Sequence, residues 1–259
     1  PVHIYYTGAG SKGNTPSIIR DTYFNDENFD GIIIVCSNGD GYWASDSAVE
    51  AQIEANRRII SEIEQANGVT LNNRNVYGSS IGDKFAIKDF AKQCEEGTDD
   101  GVLCLTGAAT AQASSTEGYN TKTGDMRNYD PNRAFLSEEE YKAIEGKTVI
   151  LFERGDKDSS DTFAPENYTY IQALNEHGAN VYLVKCKGSG HDQLSTYPLS
   201  DGLFGAIGGS QEEVVQYVTD NENFLEIKQC VDADNNVWQT VSANDVYNGI
   251  SANKGYYGI

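Results

Sequence analysis

Apolar and polar positions come in blocks along this chain. Six short runs are rich in β-branched and aromatic residues: HIYYTG (3–8), GIIIVCS (31–37), RNVYGS (74–79), GVLCLTG (101–107), KTVILFERG (147–155) and NVYLVKCKG (180–188). Most end in Gly or Ser, and four are nearly continuous apolar stretches, the pattern of strands covered on both faces. Between them the period lengthens to that of a helix. In the clearest case, 47–67, Val49, Ile53, Ile60 and Ile63 make one apolar row, with Ala48, Ala51, Ala55 and Ile59 beside it. Ser47 and Glu50 have capping-box spacing, and Gly68 stands where a C-terminal stop belongs. DKFAIKDFAKQC (83–94) and ENYTYIQALNEHG (166–178) predict two further helices.

Strand–helix–strand alternation predicts an α/β fold, a three-layer sandwich with a mostly parallel sheet and right-handed crossovers. Two segments break the alternation. Residues 108–146 are polar and rich in small residues, with one short helix near SEEEYKAI, and are too long for an ordinary connection. They are expected to form a polar cap insertion over the sheet edge. Residues 225–259 are expected to form a hairpin around DADNN and an irregular tail. The hairpin's oxygens resemble half of a Ca²⁺ loop but lack its Gly and distant Glu, so no metal is expected. The expected organisation is therefore an α/β domain over 1–224 carrying the 108–146 cap, then the 225–259 hairpin and tail.

Composition narrows the partners. The 259 residues carry a formal charge of −20, which repels phosphate backbones and anionic membrane surfaces. Neither nucleic acid nor a membrane is an expected partner. The Tyr-rich end, NGISANKGYYGI, is a candidate docking segment for another protein. Five cysteines include no C-x-x-C pair, and Cys36, Cys104 and Cys186 lie in apolar runs as small hydrophobes of a reducing compartment. The chain starts at PVHIYYTG with no visible leader and has no bilayer-spanning run, so a cytoplasmic location is expected.

One stretch, VYGSSIGDKF (76–85), places Gly78-Ser79-Ser80-Ile81-Gly82 between a strand run and a helix run. In that setting G-x-S-x-G makes physical sense: a strained central Ser projects its hydroxyl above the strand ends, and small neighbours let strand and helix approach. The N–H of Ile81 would open the helix beside that hydroxyl. A serine needs a base. Of the three histidines, His3 lies inside a strand run and His177 in the last turn of a helix, both structural settings. His191 follows a strand run and a Gly-Ser-Gly loop, at the sheet edge expected for Ser80. Asp156, Asp158 and Asp161, just past the fifth strand run, could each orient it. A second oxyanion donor fits Gly8-Ala9-Gly10 after the first strand. Gly8, Gly10 and Gly13 also have the dinucleotide spacing, but the second strand run closes on Ser37 where that motif wants an acid, and Ser80 and His191 would be left unexplained.

These motifs resemble the α/β-hydrolase superfamily over roughly 1–220: the elbow GSSIG, the acid loop GDKD, the histidine loop GSGHD and the turn TGAG, in the order Ser, Asp, His. The resemblance selects Asp158 as the acid, the fourth place of a G-x-x-D loop, and leaves the second donor open between Ala9 and Gly10. The family's first two antiparallel strands have no counterpart, which implies a sheet shortened at the N-terminus. It further implies a serine hydrolase with the triad Ser80, Asp158 and His191, an oxyanion hole of Ile81 with Ala9 or Gly10, and no cofactor. A small polar or short-chain acyl ester is the expected substrate. A catalytically silent module in a larger assembly is the alternative.

Overall fold

A computed structural model describes residues 2–8, 31–36, 42–71, 74–98, 103–106, 116–120, 133–153, 173–186 and 225–229. In chain order the elements are β1 (Val2–Tyr6), β2 (Ile32–Cys36), β3 (Tyr42–Trp43), α1 (Asp46–Asn67), β4 (Arg74–Ser79), α2 (Gly82–Glu96), β5 (Leu103–Thr106), β6 (Tyr119–Asn120), α3 (Glu138–Ala143), β7 (Thr148–Glu153), β8 (Asn180–Cys186) and β9 (Leu225–Gln229). Each of the six apolar runs contains a strand.

Among the described residues, seven strands form one sheet in the order β2-β1-β4-β5-β7-β8-β9. Every pairing from β2 to β8 is parallel, and β9 joins β8 antiparallel. At β1, β4 and β5 both faces are buried, as a three-layer α/β fold requires. Val2, Ile4, Tyr6, Val76, Leu103 and Leu105 belong to the core that also takes in side chains of α1, α2 and α3. The alternate residues His3, Tyr5, Asn75, Tyr77 and Cys104 are buried as well. The strand order reverses between β1 and β4: β1 leads on to β2 on one side, while β4 leads through α2 to β5 on the other. In a parallel sheet such a reversal opens a crevice beyond the carboxyl ends of the two strands.

Helix α1 buries Val49, Ile53, Asn56 and Ile60, an i, i+4, i+7, i+11 stripe, while Ile59 is exposed. Each of its buried aliphatic side chains contributes about 1.5–3 kcal/mol. The cap differs from the expected one. Ser45, not Ser47, is the N-cap, and its Oγ accepts from the Ala48 amide at 3.2 Å. The reason is tertiary: starting at Asp46 puts that carboxylate against Lys84, at 2.9 Å, and Arg133. Gly68 ends α1 in the left-handed conformation, as expected. The short helix at SEEEYKAI also forms, with a Ser137–Glu140 capping box.

Of the stretch expected as a cap, 116–120 and 133–146 are described. Phe135, Leu136, Tyr141 and Ile144 are buried in the main core, and α3 packs on α2. Tyr119–Asn120 pairs antiparallel with Tyr42–Trp43 in a short ribbon, and the Asp46 amide donates to the Thr116 carbonyl at 2.9 Å. Residues 225–229, the first part of the expected C-terminal hairpin, pair with β8 in the main sheet. The DADNN turn and the tail lie outside the described residues.

Candidate active site

Between the end of β4 at Ser79 and the start of α2 at Gly82 the chain turns on two residues. Ser80 has a φ of +54°, left-handed backbone that costs a side-chain-bearing residue about 1 kcal/mol or more. Ile81 is already right-handed helical and buried. The Asp83 amide donates to the Ser80 carbonyl at 3.0 Å and closes the turn.

Two glycines make the turn sterically possible. A Cβ on Gly78 would lie 2.5 Å from Asp83 Cα, and one on Gly82 would lie 2.2 Å from the Tyr6 carbonyl oxygen. Backbone occupies both places, so no rotamer change could make room. A third glycine, Gly8, borders Ser80 from β1's side: a Cβ there would be 3.2 Å from both Ser80 Cβ and the Ser79 carbonyl oxygen. Ser80 and Gly8 thus meet at the rim where the strand order reverses. The first N–H groups of a helix have no intrahelical partners and carry partial positive charge, so the start of α2 beside Ser80 suits developing negative charge.

Of the expected site residues, Ser80 and Ile81 are described and stand together at this turn. Ala9, Gly10, Asp158 and His191 lie outside the described residues. The other two histidines have structural partners. His3 Nδ1 is 3.1 Å from the Tyr77 hydroxyl inside the sheet, and burial lowers its pKa to about 4. His177 donates from Nδ1 to the Ala173 carbonyl at 2.7 Å and stacks on Tyr141, just before β8 begins. Cys36 and Cys104 are buried free thiols, and burial pushes Cys36 up to about 12. Among the described residues no group of His, Cys, Asp and Glu could hold a metal ion, and no helix is long and apolar enough to cross a membrane.

Sequence reasoning missed two polar features beside the turn. The first is a buried chain of hydrogen bonds. Tyr6 donates to Asp89 Oδ2 at 2.8 Å, and Asn56 Nδ2 donates to the Tyr6 oxygen at 2.9 Å. Its only trace in the sequence is Asn56 interrupting an apolar row. The second is Lys84, fully buried in the first turns of α2. Its ammonium donates to the Ala44 carbonyl, pairs with Asp46 and lies 5.5 Å from the Phe135 ring centre. Burial lowers its pKa to about 8, against the pull of Asp46. Nothing local in the sequence marks it.

No family model and no curated protein matches this chain. Solved structures do. A hyperthermophilic esterase from Pyrobaculum calidifontis matches with a TM-score of 0.51 at 16% identity, over 80% of this chain and 76% of that one. A thermostable esterase from Pseudomonas putida matches with a TM-score of 0.51 at 19% identity, over 83% and 74%. A protein of Lactobacillus plantarum WCFS1, provisionally assigned as a cell surface hydrolase, matches with a TM-score of 0.51 at 14% identity, over 87% and 98%. Likeness at this identity speaks to architecture. Together with the parallel sheet, the reversal of strand order and the strained turn after β4, it shows that this chain has the α/β-hydrolase fold.

Proposed function

We propose that the protein is a serine hydrolase, an esterase that cleaves a polar or short-chain acyl ester through an acyl-enzyme. The observation that carries this reading is the +54° φ of Ser80 at the reversal of strand order, between two glycines whose places are filled by backbone. Strain of that kind persists where a particular group has to be presented. Here the group is a hydroxyl at the mouth of the crevice.

His191 is the base and Asp158 the acid that orients it. Parallel strands send the chain out of β7 and β8 at the same rim as β4. Strands lie about 4.8 Å apart, so β8, three places from β4, is about 14 Å away. Five extended residues span up to about 17 Å, and His191 is five residues past Cys186. The chain is long enough for the imidazole to meet the hydroxyl. His3, held inside the sheet, and His177, ahead of β8, are not candidates. In the reaction, Ser80 Oγ bonds to the acyl carbon as its proton passes to His191, and the amides of Ile81 and of Ala9 or Gly10 hold the oxyanion. Collapse breaks the ester bond, and the leaving alkoxide takes the proton from His191. Water, deprotonated by His191, then attacks the acyl-enzyme and restores Ser80. The polar composition of 108–132 favours small polar acyl groups over lipids.

A fluorophosphonate probe together with a panel of short-chain acyl esters tests this. Wild-type protein should label once, and Ser80→Ala should lose labelling and at least about 10⁴-fold in turnover. Absence of labelling in folded wild-type protein would instead support a silent binding module.

A further inference from the structure

We propose that the buried Tyr6–Asp89 hydrogen bond, completed by Asn56, is the positioning device of the Ser80 turn; this rests on the reading of Ser80 as nucleophile. Tyr6 is the last residue of β1, and it meets α2 at three successive points. Its carbonyl oxygen occupies the place of a side chain at Gly82. Its ring stacks on Phe85, with centroids 5.5 Å apart and planes at 21°. Its hydroxyl reaches Asp89 at 2.8 Å. Residues 82, 85 and 89 fall on one stripe of the helix, and that stripe begins two residues after Ser80.

The Tyr6 oxygen is held from the other side as well. Asn56 Nδ2 donates to it at 2.9 Å and to Cys36 Sγ at 3.2 Å, while Gln52 Nε2 donates to Asn56 Oδ1 at 3.0 Å. Elements β1, α1 and α2 therefore converge on one phenolic oxygen, and β2 joins them through the contact of Cys36 with Asn56. Asp89 is only 1% exposed. Burial raises its pKa, and hydrogen bonds from Gln93 and Tyr6 pull it back.

A buried carboxyl is a costly way to fill space, and an apolar pair would serve cohesion as well or better. What an apolar pair does not supply is direction. Stacked rings such as Tyr6 and Phe85 tolerate sliding along the helix axis, whereas a donor and an acceptor at 2.8 Å do not. The strained Ser80 turn would relax if α2 shifted along or away from β1. The hydrogen bond at Asp89 fixes the axial position of α2 and so denies it that shift.

Tyr6→Phe is the test, because it keeps the ring and removes only the oxygen. Amide hydrogen exchange at 81–85 should speed up while α1 and residues 93–96 keep their protection. Phosphonylation of Ser80, per folded molecule, should slow by about 10- to 100-fold, the scale of an ångström-sized misplacement. Asp89→Asn retains an acceptor for Tyr6 and should keep both readouts near wild type, whereas Asp89→Leu should repeat the Tyr6→Phe result. Exchange that rises evenly over α1 and α2, or does not change at 81–85, would reduce the bond to a general brace and overturn the proposal. Local exchange at 81–85 in a protein that never labels at Ser80 would uphold the positioning and remove the nucleophile.

Discussion

Ala44 and Ser80 are the residues other than glycine that the described chain holds at positive φ, and both sit at 54°. They are held by opposite means. Ala44 is buried, its methyl in the core, and its carbonyl accepts from Lys84. Lys84 and Arg133 converge on Asp46 two residues later. Long charged side chains from other elements keep that turn, and it delivers Ser45 to cap α1. At Ser80 the contacts among the described residues are of another kind. Backbone is packed directly on backbone through Gly8, Gly78 and Gly82, and the residue on display carries a hydroxyl. Identical torsions therefore do different work. A left-handed residue points to chemistry only when its side chain is reactive and its place is one a ligand can reach.

Three experiments would break or sharpen this contrast. The largest effect should come from Gly82→Ala, because the added carbon meets the Tyr6 carbonyl and α2 must move. Denaturant unfolding should show a loss of about 3 kcal/mol. A loss near zero would mean that close backbone approach does not hold Ser80. The second loosens the sheet beneath the turn. His3 is buried neutral, with a folded pKa of about 4 against 6.5 when unfolded. The unfolded chain binds the extra proton first, so the contribution is complete above pH 6.5 and is lost as pH falls from there towards 4. The loss is about 3 kcal/mol. His3→Gln should flatten that part of the stability profile. The smallest effect is the most direct comparison. Ser80→Gly should stabilise by about 1 kcal/mol through relief of strain while abolishing turnover. Ala44→Gly should leave stability within about 0.5 kcal/mol of wild type, because the relief is offset by about 0.8 kcal/mol of lost methyl burial. It should leave turnover intact. Equal loss of activity in both variants would erase the distinction.

The strands were legible because a strand covered on both faces needs a run of apolar residues, as in Leu103, Cys104 and Leu105. The turn at Ser80 was legible for a related reason: glycine two places to either side of the serine is what a strand meeting a helix at this angle demands. Other features depended on partners distant in the chain. Ser45 is placed to cap the Ala48 amide and Ser47 to cap that of Glu50, and the choice between them was made by Lys84 and Arg133 reaching for Asp46. Two-residue strands such as Tyr42–Trp43 are too short to show a period. Phe135, Leu136, Tyr141 and Ile144 are an apolar set inside a polar stretch, and the surrounding composition hid their place in the core. The Tyr6–Asp89–Asn56 chain joins residues from three elements and leaves almost no local mark.

The parallel sheet also governs how the chain can reach this state. His3 and Tyr77 touch across neighbouring strands although 74 positions separate them. Closing so wide a loop must precede any reward from the contact, which makes for slow folding. During synthesis, VHIYY leaves the ribosome well before RNVYGS exists to cover its second edge. Until then a sticky apolar ribbon is open to other chains, and productive folding depends on keeping it from them.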